Sequence, residues 1–185
     1  TSNQVNRNDF KLAPLTESEE NFTFVAIGDP QCSNNKEVSR YQNETINDIV
    51  NTLSSNQIAG KYKNAYAMTL GDIVNDTPEM WEKLVASMEN VQIGSNKYLP
   101  IFQCIGNHDH NAKASSDMTA VENFNSHFGP TDYSFNRGKA HIVVMDNVVC
   151  TYTNNKSWSY EAGFSNAQLA WLKADLDAVE NKADK

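Results

Sequence analysis

The chain has 185 residues, 39% of them apolar and 21% charged, with a net charge of −8. That supports one domain with a sizeable core and argues against a disordered chain. The acidic balance argues against generic nucleic-acid binding, which needs Lys and Arg to neutralise phosphates. No run reaches the roughly 18 apolar residues of a membrane span. A phosphorylated partner would need a local positive centre in this field, and bound cations supply one.

Residues 1–21 are polar and aperiodic and are expected to form a linker or tail, leaving 22–185 as one domain. The polar N-terminus has no apolar h-region. The absent initiator Met and the Asn-rich composition are compatible with a processed, exported bacterial protein. Phe22-Thr-Phe-Val-Ala-Ile-Gly28 reads as a strand buried on both faces. A helix is expected over 37–55, with Ile46, Ile49, Val50 and Leu53 at helical spacing. Tyr66–Leu70 is a second strand. A helix follows over 77–90, with Pro78 in its first turn and a stripe from Met80 to Met88. Pro100–Ile105 is a third strand, and 117–128 a weaker helix. Tyr133–Phe135 and His141–Met145 form a hairpin around Arg137-Gly138-Lys139. Tyr152, Trp158 and Tyr160 fall in an aromatic loop. A last helix starts near 166 behind a Ser165/Gln168 capping box, with Leu169, Leu172, Leu176 and Val179 on one face. Strands alternating with helices imply an α/β fold with a mostly parallel sheet.

Three cysteines give no disulfide framework and no zinc spacing. Cys104 and Cys150 read as core hydrophobes, and Cys32 as an exposed loop residue.

Each buried strand runs through a Gly into an oxygen donor: Gly28-Asp29-Pro30-Gln31, Gly71-Asp72-Ile73-Val74-Asn75-Asp76, and Gly106-Asn107-His108-Asp109. Ligands of open α/β sheets bind beyond the carboxyl ends of the strands. Neighbouring strands would therefore bring Asp29, Asp72 and Asn107 to one edge. Carboxylate and amide oxygens suit hard cations, and two carboxylates in one cleft repel each other without one.

These segments resemble the calcineurin-like metallophosphoesterase family, whose signature runs D-x-H, G-D-x-x-D/N, G-N-H-D/E, a lone His, and G-H-x-H. Gly106–Asp109 matches in full, Gly71-Asp72 with Asn75 matches well, and Asp29-Pro30-Gln31 matches in part. Tyr133-Ser-Phe135, His141–Asp146 and Ser165–Leu172 also resemble the family. The resemblance implies an α/β/β/α sandwich of two mixed sheets flanked by helices, and hydrolysis of a phosphorylated substrate by two divalent metal ions (Mn, Mg, Fe or Zn). It implies that Asp29 binds the first metal, Asp72 bridges both, and Asn107 binds the second. His108 would protonate the leaving oxygen and Asp109 would orient His108, with Asn75 or Asp76 as support. The cations would stand about 3.5–4 Å apart and activate a bridging water.

The match departs from the family in two places. Gln31 stands where His is usual, as in a subset of the family with Asp-Pro-Gln. It is expected to coordinate through its carbonyl oxygen and to shift preference toward Mg²⁺ or Mn²⁺. The lone His and G-H-x-H are absent: of the four histidines, His110 reads as a loop residue, His127 as surface and His141 as structural. The C-terminal strands carrying those ligands are expected to be missing. Such a piece calls for the missing segment or a dimer mate to cover the sheet edge. The rival reading is a non-catalytic binding or scaffold module that keeps the fold with an incomplete metal site. A Ser/His or Cys/His hydrolase ranks below both, because no nucleophile elbow is present.

Overall fold

The computed structural model describes residues 18–55, 64–95, 97–152 and 158–179. Its centre is a parallel three-stranded sheet in the order β1 (Phe24–Ile27), β2 (Tyr66–Leu70), β5 (Ile101–Cys104). The register pairs Ile27 with Thr69 and Leu70 with Cys104, so the three strands end almost level. The sequence places these strands well, but β1 is not buried on both faces as expected: Phe24 and Ala26 are exposed, and so is Leu70 at the end of β2.

Helices cover one face. Asn34 caps α1 (Asn35–Arg40) by accepting the N–H groups of Lys36 and Glu37. The helix continues through a π turn (Tyr41–Ile46) into α2 (Asn47–Ser54). One extra residue in that turn carries the buried stripe from Val38 and Tyr41 to Ile46, leaving Thr45 exposed. A 3₁₀ turn at Pro78–Met80 leads into α3 (Trp81–Met88), whose Trp81 and Leu84 are fully buried. These side chains pack with Ile27, Ala67 and Ile105 of the sheet. Burial of each large apolar side chain is worth roughly 1.5–3 kcal/mol. The expected helix over 117–128 is two short ones, α4 (Asp117–Ala120) and α5 (Glu122–Phe128).

The other face of the sheet meets the hairpin β6 (Tyr133–Arg137) and β7 (Ala140–Val144). Phe135 stacks on Phe102 at 4.3 Å and meets Tyr66 edge-on at 6.0 Å. Two further antiparallel ribbons lie outside the sequence expectation: β3 (Gln92–Gly94) with β4 (Lys97–Tyr98), and β8 (Val148–Tyr152) with β9 (Trp158–Ala162). The second ribbon replaces the expected aromatic loop, and Trp158 and Tyr160 sit on it with rings 5.5 Å apart. The architecture is α/β. Among the described residues the antiparallel strands form separate ribbons beside the parallel sheet.

Ser165 and Gln168 cap α6 (Asn166–Ala178) reciprocally. Its expected apolar face is only partly covered, with Leu169 and Leu176 nearly half exposed. The stretch before β1, expected as part of a tail, is docked from Ser18 on. Glu19 pairs with Arg137 at 2.5 Å, and the Asn64 amide donates to the carbonyls of Ser18 and Asn21. Residues 1–17 lie outside the described set. Cys32 is also corrected: it is 1% exposed, because its N–H donates to the Ile73 carbonyl and draws it beneath the β2 loop. No helix among the described residues is long and apolar enough to cross a membrane.

Candidate functional site

The three loops beyond β1, β2 and β5 meet at one edge through hydrogen bonds that tie each to the next. The Gln31 N–H donates to the Asp72 carbonyl at 2.8 Å, and its side-chain Nε2 donates to Asp72 Oδ2 at 3.1 Å. A carboxylate takes only donors. Gln31 therefore presents its NH₂ to Asp72 and keeps Oε1 for another partner. On its other side, Asp72 Oδ1 accepts the His108 N–H at 3.0 Å. Asp72 is thus held from both neighbouring loops.

Two glycines permit this convergence. A Cβ on Gly106 would lie 2.2 Å from both Asp72 N and Asp72 Oδ1. One on Gly71, at φ +97°, would meet the Gly106 Cα at 3.0 Å. The backbone is strained here as well. Asp29, Gln31, Asp72 and Asp76 all have positive φ, between 36° and 56°. A non-glycine residue in this region costs on the order of 1 kcal/mol or more, and such strain clusters where side chains are aimed at a ligand.

Asp29 is exposed and Asn107 half-buried. Their strands alone position them, since neither side chain forms a hydrogen bond among the described residues. His108 Nδ1 lies 3.0 Å from Asp76 Oδ2. Because the carboxylate only accepts, Nδ1 carries the proton and Nε2 is left for chemistry. Asp76 is thus the carboxylate hydrogen-bonded to the His108 ring, where the expectation placed Asp109. Asp109 is instead buried, with Oδ1 accepting the Ile73 and Val74 N–H groups and Oδ2 that of Gly106. Its carboxylate clamps the β2 loop to the β5 loop and does not reach the His108 ring. Burial pushes the Asp109 carboxyl up to about 7, against those N–H donors. Asn75 donates to Ser33 Oγ at 3.1 Å and so links the first two loops.

Sequence reasoning passed over His110. It is buried, with Nδ1 at 2.8 Å from the Gly106 carbonyl and Nε2 at 3.0 Å from Asp146 Oδ2. Burial opposes its charge, but the hydrogen bond and charge of Asp146, helped by the Gly106 carbonyl, hold its pKa above the ordinary value. Asp146 also accepts the Val148 N–H, and its carbonyl takes a bond from Gln168. The pair fastens the Gly106 loop to the β7–β8 junction. Its one local signal was a His beside Asn-His-Asp, and the partner lies 36 residues away.

Other catalytic classes find no support here. Burial pushes the thiols of Cys32, Cys104 and Cys150 up to about 11, so none is a thiolate at neutral pH. Ser134 Oγ donates to Asp175 rather than to His141. Both nitrogens of His141 are taken, by Asp175 and Asn136, so this cluster fastens α6 to the hairpin and holds no activated hydroxyl.

The donors at the strand ends are oxygens only: the carboxylates of Asp29 and Asp72 and the amides of Gln31 and Asn107. Among the described residues, no group of three or more His, Cys, Asp or Glu side chains is placed to hold a metal ion. The set fits, in kind, a hard cation that keeps several waters and takes one or two carboxylates, and it does not fit a Cys/His zinc centre. The observation that favours such a cation is Gln31 Oε1, which forms no hydrogen bond among the described residues.

No curated protein matches the chain. The sequence model of calcineurin-like phosphoesterases matches residues 22–183. That span contains all three strand-end loops and every sheet and helix described above, and the chain belongs to the calcineurin-like phosphoesterase family.

Proposed function

We propose that the chain hydrolyses phosphoesters with divalent cations held by Asp29, Gln31 and Asp72 at one position and by Asp72 and Asn107 at a second. The observation that carries this reading is Asp72, whose two carboxylate oxygens are fixed by N–H donors from the flanking loops. When bound, divalent cations there supply Lewis-acid stabilisation of phosphoryl charge and a water acidic enough to attack near neutral pH. The oxygen-only donors favour Mg²⁺ or Mn²⁺ over Fe or Zn.

The protein's own groups do the rest. Gln31 and the His108 amide keep the Asp72 carboxylate from turning away from the sheet edge. Asp76 holds the His108 ring by Nδ1–H, so that a ring protonated on both nitrogens can give its Nε2 proton to the leaving alkoxide. General acid catalysis of this kind contributes on the order of 10²–10⁴-fold. Asp109 acts at a distance, by holding Gly106 against the β2 loop.

Hydrolysis of a chromogenic aryl phosphate with added Mn²⁺ tests the reading. Activity should be metal-dependent and absent in Asp72→Ala, and equal rates in the two proteins would contradict it. The donor set also supports a second reading, a binding module, since two carboxylates and two amides hold a cation loosely. That reading expects a phosphorylated ligand to bind with no turnover under the same conditions.

A further inference from the structure

A cleft of about 560 Å³ opens beside His108. Its walls include His108 and Asp76 but none of Asp29, Gln31, Asp72 and Asn107. His108 therefore borders the cleft with its side chain while its N–H holds Asp72 of the donor set. An ester whose phosphoryl group sits on the donors, with its bridging oxygen at His108, must place its alcohol portion in this cleft. Its volume lies within the range of small-molecule sites.

The chemistry of the walls narrows that alcohol. The solvent-facing carboxylates are Asp76 and Glu122, against the single ammonium of Lys113. This balance repels a second phosphate or another anionic group. Trp81 contributes to the wall but is 1% exposed, so it offers no open indole for stacking a nucleobase. What remains is a mixed set of donors and acceptors. The side-chain ends of Lys113, Glu122 and Asn123 form no hydrogen bond among the described residues. Asn111 accepts the Lys113 N–H through Oδ1, which leaves its NH₂ available. A hydroxyl both donates and accepts, so adjacent hydroxyls match carboxylate and amide ends standing side by side. Pro78 and Ala112, both exposed, offer aliphatic surface to C–H faces.

We infer that this cleft binds the leaving alcohol of the substrate, and that the alcohol is uncharged and polyhydroxylated, of the sugar or polyol class. The inference rests on the phosphoesterase reading for its connection to turnover, but the cleft can be tested without it. Amide NMR shifts of the metal-free protein should respond to glucose at residues 111–113 and 122–123 and hardly at all to butanol. The double variant Glu122→Gln, Asn123→Ala should weaken the glucose response. Shifts elsewhere, no shifts, or equal shifts with butanol would overturn the assignment.

With Mn²⁺ present, glucose phosphate should be hydrolysed with kcat/KM about tenfold above butyl phosphate and adenosine monophosphate, the worth of one or two net hydrogen bonds in an open site. Equal or better turnover of either competitor would overturn the class. If no ester is hydrolysed, the phosphoesterase reading fails while the glucose titration still decides the cleft.

Discussion

Replacing Asp146 with Ala tests the His110 clamp. The two side chains are 0% and 10% exposed, so solvent screens the pair little. Removing one partner of a buried ion pair costs about 3–5 kcal/mol, because the other charge is left unpaired in the interior. For a chain of this size that lowers Tm by about 6–20 °C. The pH dependence is the sharper readout. The folded His110 holds its proton more tightly than the ordinary value of 6.5. The contribution of the pair is therefore complete below that value and fades as pH rises through the higher folded pKa. In Asp146→Ala burial, which opposes the charge, is offset only by the Gly106 carbonyl and the more distant charge of Asp117. The variant should lose stability as pH falls below 6.5, where the wild type keeps its full contribution. Urea midpoints measured at intervals between about pH 5 and 9 separate the two curves. Parallel curves for the two proteins would refute the reasoning.

Three further outcomes are expected. Gly106→Ala puts a methyl where Asp72 N and Oδ1 now lie, so it should cost about 1–3 kcal/mol of stability and lower Mn²⁺ affinity, read by calorimetry. Asp72→Ala should copurify without metal by elemental analysis; full metal content would contradict a bridging role. His108→Ala should keep its metal but lose on the order of 10²–10⁴-fold in kcat, and Asp76→Asn should lose less, read by steady-state kinetics.

The readable parts of the sequence were those whose cause is local. Phe24–Ile27, Tyr66–Leu70 and Ile101–Cys104 are short, mostly apolar runs, and each leads through Gly into a donor, so strands and strand-end loops could be placed together. The start of the last helix was readable because Ser165 caps it, whereas the Asn34 cap of α1 was not seen and that helix was expected to begin at 37. The illegible parts depend on partners far along the chain. His110 looks like loop sequence until Asp146 lies against it, and Cys32 looks exposed until the Ile73 carbonyl takes its N–H. Asp109 was assigned to its sequence neighbour His108, yet its oxygens are taken by Ile73, Val74 and Gly106. No periodicity reveals such a contact. The β8–β9 ribbon was missed because Trp158–Ala162 alternates weakly and leaves most of its side chains exposed.

The docking of residues 18–21 has a practical consequence. Glu19 is anchored to Arg137, and Thr23 accepts the Tyr66 N–H where β2 begins, so this segment lies at the edge where the parallel strands start. Asp29, Asp72 and Asn107 follow the opposite ends of those strands. A fusion partner joined directly at Ser18 would therefore start from the end of the sheet away from the donor loops. Immobilised by that end, the protein should face solution with its cleft unobstructed.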